Sequence, residues 1–280
     1  MQVRTYTSSI EKVALSSEIF KMANDLRSSQ DLAKRITIRD FKAQYRQSFF
    51  GVLWAFITPL MSTIVWVVLE KSGVVKMSNT GIPYAAYVFS GTMIWSIFAE
   101  SIQAPLQSTQ QARGLLGKIN FPKEALLLSG MYKVIGNASI RLLLVFAAFL
   151  AIGILPSSHI FLLPVFLTGI ILVGFSIGLI ITPIGMLYSD IGRATPLFLQ
   201  LLMYLSPVIY NIPTEGVFSK IMHINPMTPI ILNTRSCLSG AAFEQIVFFI
   251  IIQLIFLIIL FIGWGIYRFS IPIIVERSGS

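Results

Sequence analysis

Cysteine occurs once in the 280 residues, at Cys237, and histidine twice, at His159 and His223. A lone thiol excludes a disulfide within the chain and a thiolate metal cluster. The histidines stand in separate connectors rather than at ligand spacing, so no metal is expected. Charge is scarce as well. Asp, Glu, Lys and Arg make up 12% of the residues, against about 25% in an average soluble domain. With 55% hydrophobic residues and a mean hydropathy of +0.78, the chain lacks the polar surface a water-exposed fold needs. That excludes a disordered chain, a collagen-like fibre and a soluble enzyme. A cleavable leader is not expected either, because no short apolar run with a small-residue cleavage site opens the sequence. The first span then serves as its own insertion signal.

What is present is apolar sequence in long runs. Uninterrupted stretches fall at about 51–69, 84–108, 125–153, 161–187, 196–210 and 243–267, each near the ~20 residues that cross a bilayer as a helix. The expected fold is an all-α integral membrane protein with six transmembrane helices. No internal repeat relates the two halves, which argues against the inverted-repeat plan of many secondary transporters. Of the 21 basic residues, those in the tails and in the connectors holding Arg113, Lys118, Lys123 and Arg193 number 15. Lys71, Lys76, Lys220 and Arg235 belong to the other side. The positive-inside rule therefore puts both termini in the cytoplasm. Lys133 and Arg141 lie within the third span. The expected division is a cytoplasmic segment 1–30, an amphipathic helix 31–50, a six-helix domain 51–270 and a cytoplasmic tail 271–280.

Residues 31–49 carry the most detailed pattern. Arg35, Arg39, Lys42 and Arg46 share one narrow face at ~100° per residue. Ile38, Phe41, Tyr45 and Phe49 form the adjacent face, and Thr37, Asp40, Gln44 and Gln47 the far side. An apolar strip bordered by cations is the pattern of a helix lying in the membrane interface.

Catalytic motifs are lacking. The stretch from Gly114 to Lys118 has too few residues between its glycines for a phosphate loop, and Ile119 stands where Ser or Thr would hold magnesium. Asp190 is the lone acid of its connector, a weak basis for catalysis. ATP chemistry is therefore expected on another chain.

Several motifs recur in a fixed order. Arg39-Asp40 leads through Tyr45-Arg46 to Gly51 and Trp54, followed by Pro59-Leu60. Asn120-Phe121-Pro122-Lys123-Glu124 precedes the third span, Asp190-Ile191-Gly192-Arg193 follows the fourth, and residues 205–210 close the fifth. Asn225-Pro226-Met227, with Ile230, Ile231 and Arg235, lies beyond. This ordered set resembles the permease subunits of polysaccharide-export ABC transporters, a group that includes exporters of O-antigen, capsule and teichoic acid. Ser189 departs from the basic residue that often precedes the aspartate there. The resemblance implies a homodimer in the inner membrane that binds two copies of an ABC ATPase, which carry ATP and Mg, with no cofactor in this chain. It implies short re-entrant outer helices before the last span, within 211–242. By the same resemblance the ATPase-facing surface comprises Arg39, Lys42, Arg46, Arg113, Lys118, Lys123, Asp190 and Arg193. The substrate it implies is a lipid-linked polysaccharide, O-antigen type foremost, with membrane lipids as further partners and no nucleic acid. A membrane enzyme or ATP-independent flippase acting on the same lipid-linked glycan is the alternative class.

Sugar rings pack their C–H faces on aromatic side chains, which makes Tyr84, Tyr87, Trp95, Phe98, Tyr204 and Tyr210 candidates for a substrate path. Lys133, Asn137 and Arg141 recur every four residues and form a polar stripe on the third span. A cation near the bilayer centre costs about 3 kcal/mol on insertion scales, so the stripe is expected to face protein or a wet conduit. Equal depth on antiparallel spans pairs Glu100 with Lys133 and leaves Arg141 for an anionic substrate group.

Overall fold

The computed structural model describes residues 22, 24–46, 49, 51–74, 81–116, 121–155 and 157–278, and every regular element among them is helical. Nine helices matter here: α1 (Gln30–Arg46), α2 (Trp54–Lys71), α3 (Tyr84–Gln111), α4 (Glu124–Ala151), α5 (Leu163–Leu187), α6 (Ser189–Tyr204), α7 (Val217–Ile224), α8 (Met227–Ser239) and α9 (Ile246–Ser278). Three helical stretches, Glu124–Ala151, Ser158–Leu187 and Ile246–Glu276, are long and apolar enough to cross a membrane. In α9 only 17% of the most apolar window is buried, so that helix keeps its hydrocarbon surface outward, as a lipid-facing span does.

The core is organised around α3, which buries 19 of its 28 residues. Its sequence is also among the more polar ones, with Ser, Thr, Gln and Glu100 interspersed. The two facts belong together, because polar side chains at membrane depth are tolerated where protein surrounds them. Several hydroxyls return their proton to the preceding turn: Thr92 to Val88, Ser101 to Ile97, and Thr109 to Pro105.

Close approach on α3 rests on glycine. A Cβ at Gly178 of α5 would lie 2.3 Å from the Ile102 carbonyl oxygen, and one at Gly174 would lie 2.6 Å from Ser101 Cβ. This is the small-xxx-small spacing that lets membrane helices touch backbone to backbone. Gly174, Gly178 and Gly185 meet Phe98, Ile102 and Leu106 in the same order, so α3 and α5 run parallel. Gly169 meets Phe249 and Gln253, and Gly263 meets Leu179, which makes α9 parallel to α5. On the other side of α3 the order reverses. Gly130 of α4 sits at Ala104 and Ser108, while Asn137 and Arg141 reach Glu100. α4 is therefore antiparallel to α3.

The segment expected as an amphipathic helix over 31–50 is helical in α1 as far as Arg46, and one side of it meets protein. Ala33 and Thr37 are buried, Thr37 Oγ1 donates to the Ser129 carbonyl at 3.3 Å, and the Phe41 ring covers Gly136. Ile38 stays 55% exposed. Phe41 of the apolar face thus packs on α4 beside Ala33 and Thr37, while Ile38 of the same face stays open. Arg35, Arg39 and Lys42 are exposed as expected. On α2, Met61, Ile64, Val65 and Val68 form one exposed apolar stripe, opposite the T-shaped contact of Phe56 with Phe89 at 5.6 Å.

The fifth apolar stretch, read as 196–210, corresponds to a helix that starts at Ser189 and stops at Tyr204. Asp190 in its first turn complements the helix dipole, and Pro207 cannot continue the ladder. The final helix runs through Ser278, past the apolar stretch read as 243–267.

If backbone contact between α3 and α5 holds the core, Gly178→Ala lowers the thermal unfolding midpoint in detergent, by an overpacking cost of about 1–3 kcal/mol. Gly265→Ala, where an added Cβ meets nothing within 4 Å, leaves the midpoint in place.

Candidate functional site

Three polar assemblies interrupt the apolar core. The first lies between α3 and α4. Glu100 accepts a hydrogen bond from Asn137 Nδ2 and pairs with Arg141 Nη1. The expected Glu100–Lys133 pair is therefore corrected: the carboxylate serves Arg141, two helical turns further along α4. Depth alone misassigned it because Cβ vectors lean toward a helix's own N-terminus. On antiparallel helices Glu100 leans toward the later turns of α4, and the α4 side chains lean back to meet it. Lys133 instead borders a cavity of about 20 Å³ shared with Asp40, Glu100, Gln107 and Gln111, room for about one water molecule. The polar stripe of α4 thus faces protein.

The second assembly closes the opposite end of α3 and was not anticipated as a site. Pro207 breaks the chain after α6, leaving carbonyls without helical partners, and Arg235 of α8 caps them. Its Nη1 donates to Pro207 O at 3.2 Å; its Nη2 donates to Pro207 O at 3.2 Å, Val208 O at 3.1 Å and Tyr87 O at 3.4 Å. The guanidinium carbon lies 3.6 Å from the centre of the Tyr87 ring, a cation–π contact. Tyr87 Oη in turn donates to Tyr210 O at 3.2 Å, and the Tyr210 hydroxyl to Tyr204 O. Arg235 is 5% exposed and has no ion pair among the described residues, although Glu244 lines the same pocket. Only Gly91 fits beside it, since a Cβ there would lie 2.2 Å from Val208 O and 2.5 Å from Arg235 Nη2. Asn225 ties the next turn into the same knot. Its amide donates to Leu205 O and Ser206 Oγ, both at 2.9 Å, while its Oδ1 accepts from Met227 N at 2.9 Å.

The third assembly joins the N-terminal segment to the ends of α4 and α9. Arg268 donates to Asp25 Oδ2 at 2.6 Å and to Glu124 Oε1 at 2.5 Å. Thr109 and Tyr267 share a buried hydroxyl contact of 3.0 Å one helix away. Neighbouring Lys123 is half-buried, and that burial lowers its ammonium pKa from the usual value; Glu124 opposes the shift and Arg268 adds to it.

The aromatic candidates divide. Tyr87, Tyr204 and Tyr210 belong to the carbonyl knot, and Tyr84 has a buried hydroxyl without a hydrogen-bond partner among the described residues. Trp95 and Phe98, with ring centres 5.1 Å apart, line a recess of about 430 Å³ with Leu205, Ser206, Ile224 and Asn225. This recess and the α4 stripe lie on different faces of α3 and share no wall. On the other candidate surface, Arg39 is exposed and pairs with Asp40 at 2.8 Å. Lys42, Arg113, Asp190 and Arg193 are exposed. Lys118 and the side chain of Arg46 lie outside the described residues. No cluster of histidine, cysteine and carboxylates able to hold a metal occurs among the described residues.

Apolar helices enclosing a polar, ion-paired interior define a multi-pass helical membrane protein. Residues 32–239 match the ABC-2 type transporter family, and the chain belongs to it. It is 27% identical over 223 residues to an O-antigen export system permease protein of Myxococcus xanthus, covering 78% of this chain and 84% of the relative. It is 29% identical over 221 residues to the protein of the same description from Klebsiella pneumoniae, covering 77% of this chain and 83% of the relative.

Removing one partner of a buried pair leaves the other charge uncompensated, at a cost of about 3–5 kcal/mol, whereas replacing both with apolar residues is near neutral. Arg141→Met is thus expected to lower the unfolding midpoint strongly. Adding Glu100→Leu to it restores most of the loss in the same thermal measurement, and Lys133→Met does not substitute for either change.

Proposed function

We propose that this chain is the permease subunit of an ATP-driven exporter that carries a lipid-linked polysaccharide, of O-antigen type, across the inner membrane. The observation that carries the reading is the similarity to two O-antigen export permeases over more than three quarters of the chain, within a family match from 32 to 239. In this reading six spans cross the bilayer: α2, α3, α4, α5, α6 with residues 205–210, and α9. Parallel α3, α5 and α9 with antiparallel α4 fit such alternate crossing, and both termini are then cytoplasmic. Helix α1 lies at the inner interface with Ile38 toward lipid and Arg35, Arg39 and Lys42 at the head groups. Helices α7 and α8 form the outer re-entrant pair, locked by Arg235. The domain division follows, with residues 1–30 and the end of the chain in the cytoplasm.

Two copies of this chain pair with two copies of an ABC ATPase. ATP and Mg bind there and supply the phosphoryl chemistry; this chain's residues receive the motion. The ATPase-facing surface is Arg39, Lys42, Arg46, Arg113, Lys118, Lys123 and Asp190. The end of α3, the start of α4 and the end of α9 are joined through Thr109, Tyr267, Glu124 and Arg268, so displacement of one is passed to the others. The aromatic pair Trp95 and Phe98 receives the glycan on its way to the outer end.

Co-purification tests the ATPase surface. Arg39→Glu with Lys42→Glu is expected to insert normally and to lose its ATPase-stimulating effect, since each basic group near an anionic surface contributes about 1 kcal/mol. Saturable ATP binding by the chain alone, or full stimulation by the double variant, would count against the reading.

A further inference from the structure

A recess of about 310 Å³ opens between α3 and the start of α6, lined by Gln103, Gln107, Gln110, Ser189, Arg193 and Ile181 among others. Three glutamines at spacings of four and three place a ladder of amides along one side of α3. Each amide nitrogen is engaged: Gln103 Nε2 donates to Ala99 O at 3.1 Å, Gln107 Nε2 to Gln103 Oε1 at 3.4 Å, and Gln110 Nε2 to Gly185 O at 3.3 Å. No described residue donates to Oε1 of Gln107 or Gln110, so two fixed amide oxygens remain as acceptors. Opposite them stands Arg193 in the first turns of α6, without an ion pair among the described residues. Ile181 supplies an apolar wall.

Hydroxyl acceptors, an apolar wall and one cation are the complement of a sugar ring bearing a phosphate. We propose that this recess is the cytoplasmic subsite for the glycosyl-phosphate portion of the lipid-linked substrate. In it the oxygens of Gln107 and Gln110 accept sugar hydroxyls, Ile181 packs against ring C–H groups, and Arg193 pairs with the phosphate. This assignment rests on the exporter reading and deepens it. Arg193 is thereby moved from the ATPase-facing set to the substrate. The recess extends from the end of α3 to Gln103, about 12 Å along the helix, so Arg193 stands at its lining rather than on an isolated loop.

The test places the photo-crosslinker p-benzoylphenylalanine at Gln107, at Trp95 or at exposed Ile258, in cells that assemble the polysaccharide. Adducts are identified by mass after mild acid. The expected result is a sugar- and phosphate-bearing adduct at position 107 that falls about tenfold in Arg193→Gln, as loss of a charge-assisted hydrogen bond predicts, and only phospholipid at Ile258. Adducts at 107 made of the ATPase or of phospholipid alone would overturn the subsite. Sugar adducts at Trp95 but not at 107 would overturn it while leaving the exporter reading intact. Absence of sugar at both, in cells that still export polysaccharide, would remove both. Size-exclusion elution of Arg193→Gln as wild type establishes that a lost adduct is not a folding defect.

Discussion

A cation withdrawn from water must find either a counter-charge or a set of oriented carbonyl dipoles, and the described interior is organised around that requirement. Arg141 finds Glu100, Arg268 finds Asp25 and Glu124, and Arg235 finds carbonyls. Each solution joins segments far apart in sequence. The first fixes α4 on α3, the second fixes the N-terminal segment and α4 on α9, and the third fixes α8 on the broken end of α6. The hydrocarbon surfaces of α4, α5 and α9 suit membrane residence, while these few polar contacts set which helix lies against which.

The central position of α3 explains two features that look unrelated. It carries Glu100, a carboxylate costly to leave against lipid, and holds it in an ion pair with Arg141. It also meets glycines on its neighbours at Gly130, Gly174 and Gly178, so the helices around it pack close enough to exclude lipid.

Much of the fold is legible in the sequence, because hydropathy and turn residues report on single helices. The apolar stretches at 84–108, 125–153 and 161–187 lie within a few residues of α3, α4 and α5. The amphipathic segment is helical through Arg46, and the short helices α7 and α8 fall within 211–242. What escaped the sequence depends on relations between helices. The Glu100 partner turns on the lean of side chains across an antiparallel pair, and the protein-facing side of α1 on the fit of the Phe41 ring to Gly136. The role of Arg235 was hidden because its partners are backbone carbonyls, which no residue pattern spells out. Arg268 and Glu124 carried a signal, opposite charges at two span ends on the same side of the membrane.

The exporter account is tested most directly in cells. On depletion of this chain, with the ATPase and the glycan-assembly enzymes intact, lipid-linked polysaccharide is predicted to accumulate on the cytoplasmic face of the inner membrane while surface polysaccharide disappears, measured by glycan labelling of intact and opened cells. Continued appearance of the polymer at the surface in the depleted cells would contradict the account.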